Sequence, residues 1–289
     1  MAKYESSYEN AIEISNMTKS YSGFKLDNVS LTLPKGYVMG LIGENGAGKT
    51  TMIKAMQGVV KLDAGKISIL GSSDISKDRA LKEKIGVVMD ECDFPEEMTV
   101  VDINRMMAWI YRTWDKRRFT EYTKKFKLPE NKRIKEFSKG MKMKLSVGAA
   151  LSHASELLIL DEATGGLDPV ARDEILDIFR DFVQDENHSV LISSHILSDL
   201  EKICDYITFI HDGRIVFSQV KDELLERYGI AKCSEEEFES IDIDAVAGYR
   251  KNHFGIEALV DKGMVGSNIT IDEATIEDIM LYFIRKGGK

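Results

Sequence analysis

A chain of 289 residues is long enough to bury a full core, with room for one large domain and a small appendage. Its 39 basic and 48 acidic residues give a net charge of −9, so overall charge makes no case for nucleic-acid binding. Three widely spaced cysteines, Cys92, Cys204 and Cys233, point to neither a disulfide framework nor a metal site, and a reducing cytoplasm is the default compartment.

The opening MAKYESSYEN lacks the apolar core of a signal peptide, and no run of about 18 apolar residues occurs, so no membrane span is expected. Residues 1–9 read as a polar tail. Residues 11–21 and 24–33 alternate apolar with polar side chains and predict two strands around a Tyr21-Ser22-Gly23 turn. Pro34-Lys35-Gly36 turns the chain into an apolar strand at 37–42, followed by a helix at 50–59 and strands at 66–70 and 85–89. Ile103, Met106, Met107, Ile110, Tyr111 and Trp114 recur at helical spacing over 100–114. A basic helical stretch leads on to Phe137. Segment 112–144 carries thirteen basic and four acidic residues, a pattern that reads as a solvated helical surface. A helix at about 140–153, a strand at 157–160, a helix at about 169–184 and a strand at 190–193 come next. Strands at 206–210 and 214–217 flank His211-Asp212-Gly213, a hairpin turn. Beyond Ser218 no catalytic constellation is visible. A helix at 221–228 precedes an acidic patch at 235–244, and 245–289 mixes strand and helix patterns into a ββα-like module.

The chemistry concentrates at 43–51, Gly43-Glu44-Asn45-Gly46-Ala47-Gly48-Lys49-Thr50-Thr51, which fits the phosphate-binding pattern G-x-x-x-x-G-K-[ST]. Glycines suit this loop because the backbone must curl around an anion and turn several N–H groups inward. Lys49 brings a positive charge to the β- and γ-phosphates, and the Thr50 hydroxyl can ligate Mg²⁺. The strand before the loop and the helix after it place a helix N-terminus against the phosphates. Downstream, Leu157-Leu158-Ile159-Leu160-Asp161-Glu162 is an apolar strand ending in two carboxylates. In phosphate-loop enzymes the first such carboxylate holds Mg²⁺. The second is placed to deprotonate or orient the attacking water. His195 follows the strand at 190–193 directly, at the end where ligands bind in parallel sheets, and is a candidate γ-phosphate sensor.

Five motifs in order, GENGAGKTT, FSKGM at 137–141, LLILDEA, GGLDP at 165–169 and His195, closely resemble the nucleotide-binding subunit of an ABC transporter over about residues 10–218. The resemblance implies an α/β fold: a phosphate-loop NTPase core with a mixed central sheet, an antiparallel β subdomain and a helical lobe at about 92–153. A small α+β module at 219–289 would follow the ATP-binding domain at 1–218 as an accessory or regulatory extension. It also implies a dimer with ATP between the phosphate loop of one subunit and Ser138–Gly140 of the other. By the same resemblance Tyr21 stacks on adenine, Asp161 is the metal carboxylate and Glu162 the general base. Asp168 lies in the loop that communicates across the dimer, and His195 is the switch histidine. Ser138, Lys139 and Gly140 form the signature segment, with a hydroxyl and a helix N-terminus aimed at a partner's γ-phosphate.

Two departures from the family pattern stand out. The signature commonly reads LSGGQ, whereas Lys139 here replaces a glycine and Met141 the glutamine. The loop after the strand at 85–89 normally presents a glutamine, and this chain has Asp90. A carboxylate there can still ligate Mg²⁺, yet it would crowd negative charge beside Asp161 and Glu162. The expected cofactors are ATP and Mg²⁺. The expected partners are a second nucleotide-binding subunit, identical or not, and a polytopic permease docking near Met98, Met106, Met107, Trp109 and Tyr111. No nucleic acid is expected. The protein would then be cytoplasmic, peripheral on the inner face of the cell membrane through the permease. FSKGM and the small C-terminal module resemble bacterial exporters of drugs, antibiotics or peptides. The alternatives are an ABC-type ATPase acting on nucleic acid or ribosomes, favoured only by the basic segment 112–144, and a non-transport ATP-dependent switch.

Overall fold

The computed structural model of the chain describes residues 8–253, 255–266 and 269–287. It divides into two compact units, Met1–Val216 and Phe217–Lys289. Within the first, β1 (Asn10–Tyr21) and β2 (Phe24–Pro34) form a long antiparallel pair joined through Gly23, whose φ of 84° closes the turn. Alternation aims Ile12, Ile14, Leu31 and Leu33 inward, and the pairs Ile12↔Leu33 and Ile14↔Leu31 stack them on one face. The register slips between Ile14 and Met17, where Asn16 takes φ 53°. The chain then runs through β3 (Val38–Ile42), α1 (Lys49–Met56) and β4 (Ala64–Ile69). β4 pairs with β1 and completes a three-stranded sheet, β2-β1-β4.

Next come α2 (Arg79–Glu83), capped by Asp78, and β5 (Ile85–Val88). They lead into three helices, α3 (Val100–Ile110), α4 (Lys116–Lys125) and α5 (Lys139–Ala150). α3 opens on a capping box between Thr99 and Asp102. It stops at Ile110, four residues short of the sequence expectation. The Trp114 indole donates back to Asn104 at 2.8 Å and its ring lies 5.1 Å from Phe119, so the chain turns where the apolar spacing alone predicts continuation. Ile110, one of the residues at that spacing, is exposed. The basic residues of 112–144 are distributed rather than gathered. Arg117 pairs with Glu121, Arg133 and Lys135 with Glu97, Lys142 with Glu96 and Lys139 with Asp90.

β6 (Leu157–Asp161), α6 (Pro169–Phe182), β7 (Ser189–Ser193), α7 (Leu197–Ile203), β8 (Tyr206–His211) and β9 (Arg214–Val220) complete the large sheet in the order β5-β6-β7-β3-β8-β9. Pairing is parallel from β5 to β8. Every residue of β3, β6 and β7 is buried, as expected for parallel strands covered on both faces. Met52, Ile53 and Met56 of α1 share one core with Leu41, Leu157 and the inward residues of β1, β2 and β4. The seven-residue α7 was not foreseen; Ile196 supplies no side-chain cap, and so short a helix leaves little periodicity.

In the second unit, α8 (Lys221–Arg227), β10 (Tyr228–Cys233), α9 (Glu235–Glu239), β11 (Val246–Asn252), β12 (Gly255–Asp261), β13 (Ile271–Glu273) and α10 (Ile276–Gly287) surround a four-stranded sheet, β11-β12-β10-β13. Within 245–289 the three-residue β13 goes beyond the ββα outline, and β10, upstream of that segment, begins at the residue where the preceding helix was expected to end. The packing of this unit shows at Gly248, where a Cβ would lie 2.3 Å from the Tyr282 carbonyl oxygen.

Candidate nucleotide-binding and hydrolysis site

The parallel order sets β6, β7 and β3 side by side within the sheet with their carboxyl ends aligned, the position at which open α/β sheets bind ligands. The loop between β3 and α1 is shaped by two separate constraints. Gly46 and Gly48 take φ 85° and 114°, conformations that a side chain resists. Packing beneath the loop leaves no room either: a Cβ on Gly48 would sit 2.5 Å from Leu26 Cδ2, and one on Gly43 would sit 2.3 Å from the Ile210 carbonyl oxygen. Glu44, Asn45 and Gly46 are exposed at the rim, while Ala47 is buried. Gly48 is the N-cap of α1 and supplies no side-chain cap, so the first-turn N–H groups of Lys49, Thr50 and Thr51 suit an anion. Lys49 is 7% exposed, and its ammonium donates to the carbonyls of Gly43 at 2.7 Å and Glu44 at 3.2 Å. Burial pushes its pKa below the ordinary lysine value, opposed by the nearby charges of Glu162 and Asp161.

Asp161 and Glu162 are neighbours held by different partners. The buried Asp161 carboxylate accepts from Thr50 Oγ1 at 2.9 Å through one oxygen and from Ser193 Oγ at 2.5 Å through the other. Glu162 takes φ 54°, a left-handed backbone that turns its side chain out of the strand direction. Its Oε2 accepts from His195 twice, from the backbone N–H at 3.3 Å and from ring Nδ1 at 2.6 Å. Ser193 was not singled out in the sequence. Its signal was available, as a hydroxyl closing an apolar strand two residues before His195.

Tyr21 is 48% exposed with the Lys19 ammonium 5.5 Å from its ring centre. It pairs in register with Phe24, whose ring lies under Gly48, so the β1–β2 tip adjoins the phosphate loop. Asp168 caps α6, accepting from Val170 N and Ala171 N at 3.1 and 3.0 Å. These bonds, Ala171 first, hold its carboxyl below the usual aspartate range. Ser138 caps α5 by accepting from Met141 N at 3.2 Å, with Gly140 in the first turn. Asp90 stands apart from the Asp161 cluster in its bonding: it accepts from Lys139 Nζ at 2.6 Å. Among the described residues no group of three or more His, Cys, Asp or Glu side chains is arranged to hold a metal alone. Thr50 and Asp161 nonetheless fit Mg²⁺, which keeps water and phosphate ligands and needs only one or two groups from the protein.

Comparison with known proteins decides the family. Residues 26–165 match the ABC transporter family. The ABC transporter ATP-binding protein YtrB of Bacillus subtilis is 34% identical over 75% of this chain and 74% of its own length. The chain belongs to the ATP-binding subunits of ABC transporters. Like other ABC ATPases it binds and hydrolyses ATP. The bacitracin transport ATP-binding protein BcrA of Bacillus licheniformis is 29% identical over 96% of this ABC subunit and 97% of its own length, so that alignment runs through the C-terminal unit. A solved structure of an ATP-binding subunit of an ABC transporter superposes with a TM-score of 0.68 at 28% identity, covering 74% of this chain and 91% of that one.

Proposed function

We propose that this ABC subunit pairs with a second nucleotide-binding subunit around ATP and drives a separate polytopic permease that exports an antibiotic or peptide. One observation carries the catalytic part: two adjacent carboxylates are divided between two jobs by their partners. Asp161, shared by Thr50 and Ser193, belongs to the metal side, and Glu162, held by His195, belongs to the water side. Thr50 and Asp161 would hold Mg²⁺, which when bound neutralises phosphate charge. Lys49 exchanges its carbonyl partners for the β- and γ-phosphates, and 43–51 orients the triphosphate. Glu162 takes the proton of the attacking water, while His195 keeps that carboxylate aimed. Ser138, Gly140 and the loop carrying Asp168 face the nucleotide of the other subunit. Tyr21 flanks the adenine.

Docking of the permease is supported on α3 and the ground beside it. Trp109 is 92% exposed and Ile110 is exposed next to it. Ile110 lines a groove of about 810 Å³ together with Tyr111, Arg112, Lys82 and Glu156. Among the described residues no helix is long and apolar enough to cross a membrane. A place at the inner face of the cell membrane therefore follows from the permease contact. Export of an antibiotic or peptide is supported by the near full-length match to a bacitracin transport subunit.

The deciding experiment compares the parent with Glu162→Gln. ATP turnover is expected to fall at least about 100-fold, the range for loss of a general base, with ATP binding kept. The variant is expected to elute as an ATP-dependent dimer in size-exclusion chromatography with light scattering. Turnover at the parent rate removes Glu162 from the mechanism. Failure to dimerise with ATP removes the shared-nucleotide reading.

A further inference from the structure

The two departures from the family pattern turn out to be one feature. Lys139, standing where the signature usually has glycine, and Asp90, standing where a glutamine is usual, meet at 2.6 Å although 49 residues apart. Both lie against the loop that leaves β6. The Lys139 stem passes over Gly166, where a Cβ would come within 3.1 Å of Lys139 Cδ, and Asp90 Oδ1 is 4.0 Å from the corresponding position on Gly165. Gly140, next in the first turn of α5, packs on the Gly166 carbonyl and Leu167. Four features thus converge: the loop after β5, the first turn of α5, and the two glycines between Glu162 and Asp168.

We propose that Lys139 and Asp90 form a positioning latch, which holds the Ser138–Gly140 edge of α5 against the 165–166 loop of the same subunit in the pose that a partner's nucleotide requires. The latch rests on the reading that the two subunits share ATP. It has two chemical consequences. The Lys139 charge is neutralised within its own subunit, so the edge offers the Ser138 hydroxyl and N–H groups rather than a free ammonium. The Asp90 charge is likewise cancelled, which removes the crowding with Asp161 and Glu162 that an isolated carboxylate would impose. Both side chains are about half exposed, so the coupling is that of a solvent-accessible pair, corresponding to at most about a five-fold effect.

The test uses the full chain in the Glu162→Gln background, where closure can be followed without turnover. The variants are Asp90→Asn, Lys139→Met, their combination, and the exchange Asp90→Lys with Lys139→Asp. The primary readout is the ATP concentration that gives half-maximal dimer by light scattering. A second is the affinity of dilute monomer for a fluorescent ATP analogue, and a third is hydrogen exchange at Met141 and Lys142 in the first turn of α5. Each single variant is expected to raise the closure midpoint about three- to five-fold. The combination should be no worse than either single change, and the exchange should return most of the loss. Monomer affinity should stay within about two-fold of the parent. The differences should shrink towards about 1 M salt, where the screening length falls to about 3 Å. Additive single effects, an exchange no better than the single variants, or an Asp90→Asn loss seen equally in monomer affinity would each overturn the latch. In the last case Asp90 acts directly on the nucleotide or its metal. If the parent itself fails to dimerise, the shared-nucleotide reading falls and exchange at Met141 and Lys142 decides the latch alone: faster exchange in Lys139→Met upholds it, and unchanged exchange ends it.

Discussion

His195 reaches the Glu162 carboxylate from two directions, its ring Nδ1 at 2.6 Å and its backbone N–H at 3.3 Å from the same oxygen. Only the ring contact is open to mutation, so the backbone contact remains as an anchor. Removing the ring with His195→Ala should lower kcat by about 10- to 100-fold through loss of aim, with KM for ATP within about two-fold. His195→Gln, which keeps a donor, should recover part of the rate. Steady-state ATPase kinetics separate this from a binding role, in which KM would rise while kcat held.

Ser193 and Asp161 come next because both are buried. Ser193→Ala leaves one buried carboxylate oxygen without its donor. The expected loss of stability is about 1–3 kcal/mol, the cost of an unsatisfied buried acceptor. Urea unfolding should show a lower midpoint with unchanged slope. An unshifted midpoint means that a water replaces the hydroxyl.

α6 and α7 are joined by a buried charge. Asp199 is 2% exposed, and its Oδ2 lies 3.7 Å from Arg172 Nε, while Arg172 Nη2 donates to the Leu167 carbonyl at 3.3 Å. Arg172→Ala isolates the carboxylate and frees the loop before Asp168. Because the Arg172 side chain is 26% exposed, about 2 kcal/mol is expected, below the range for a fully buried pair. The double change Arg172→Met with Asp199→Leu should be less destabilising than Arg172→Ala alone. Denaturation of all three proteins tests the order.

Asp168 gives a pH dependence of known sign. Its folded pKa is depressed below the ordinary value near 3.8, chiefly by the Ala171 N–H. A depressed carboxyl contributes stability that is fully present above the unfolded value and lost as pH falls through the folded one. Asp168→Asn keeps a cap without the charge. The parent should therefore melt above this variant at neutral pH, with the gap closing below about pH 4. A constant gap from pH 6 to pH 2.5 would assign the difference to packing.

Local patterns were legible in the sequence and long-range pairings were not. The phosphate loop announces itself because glycine spacing, a strand before it and a helix after it are all encoded within about twenty residues. Likewise the 157–162 strand shows through its apolar run and terminal acids. Ser193 could not be matched to Asp161 because their contact depends on β7 lying beside β6, a strand order that periodicity does not contain. Lys139 with Asp90 and Arg172 with Asp199 are of the same kind. The length of α3 was overestimated because Trp114 continues the apolar spacing while its indole turns back on Asn104. β10 was hidden because Tyr228 continues the helical spacing of Leu224 past Arg227, the last residue of α8.

The Lys139–Asp90 contact also means that the signature segment is not an interchangeable part. A chimaera that receives the common LSGGQ sequence at 137–141 would acquire the familiar glycine and orphan an acid within reach of Gly165. The graft should close on ATP about three- to five-fold less readily until position 90 is converted to glutamine in the same molecule, so transplantation between members of this family should move the two sites together.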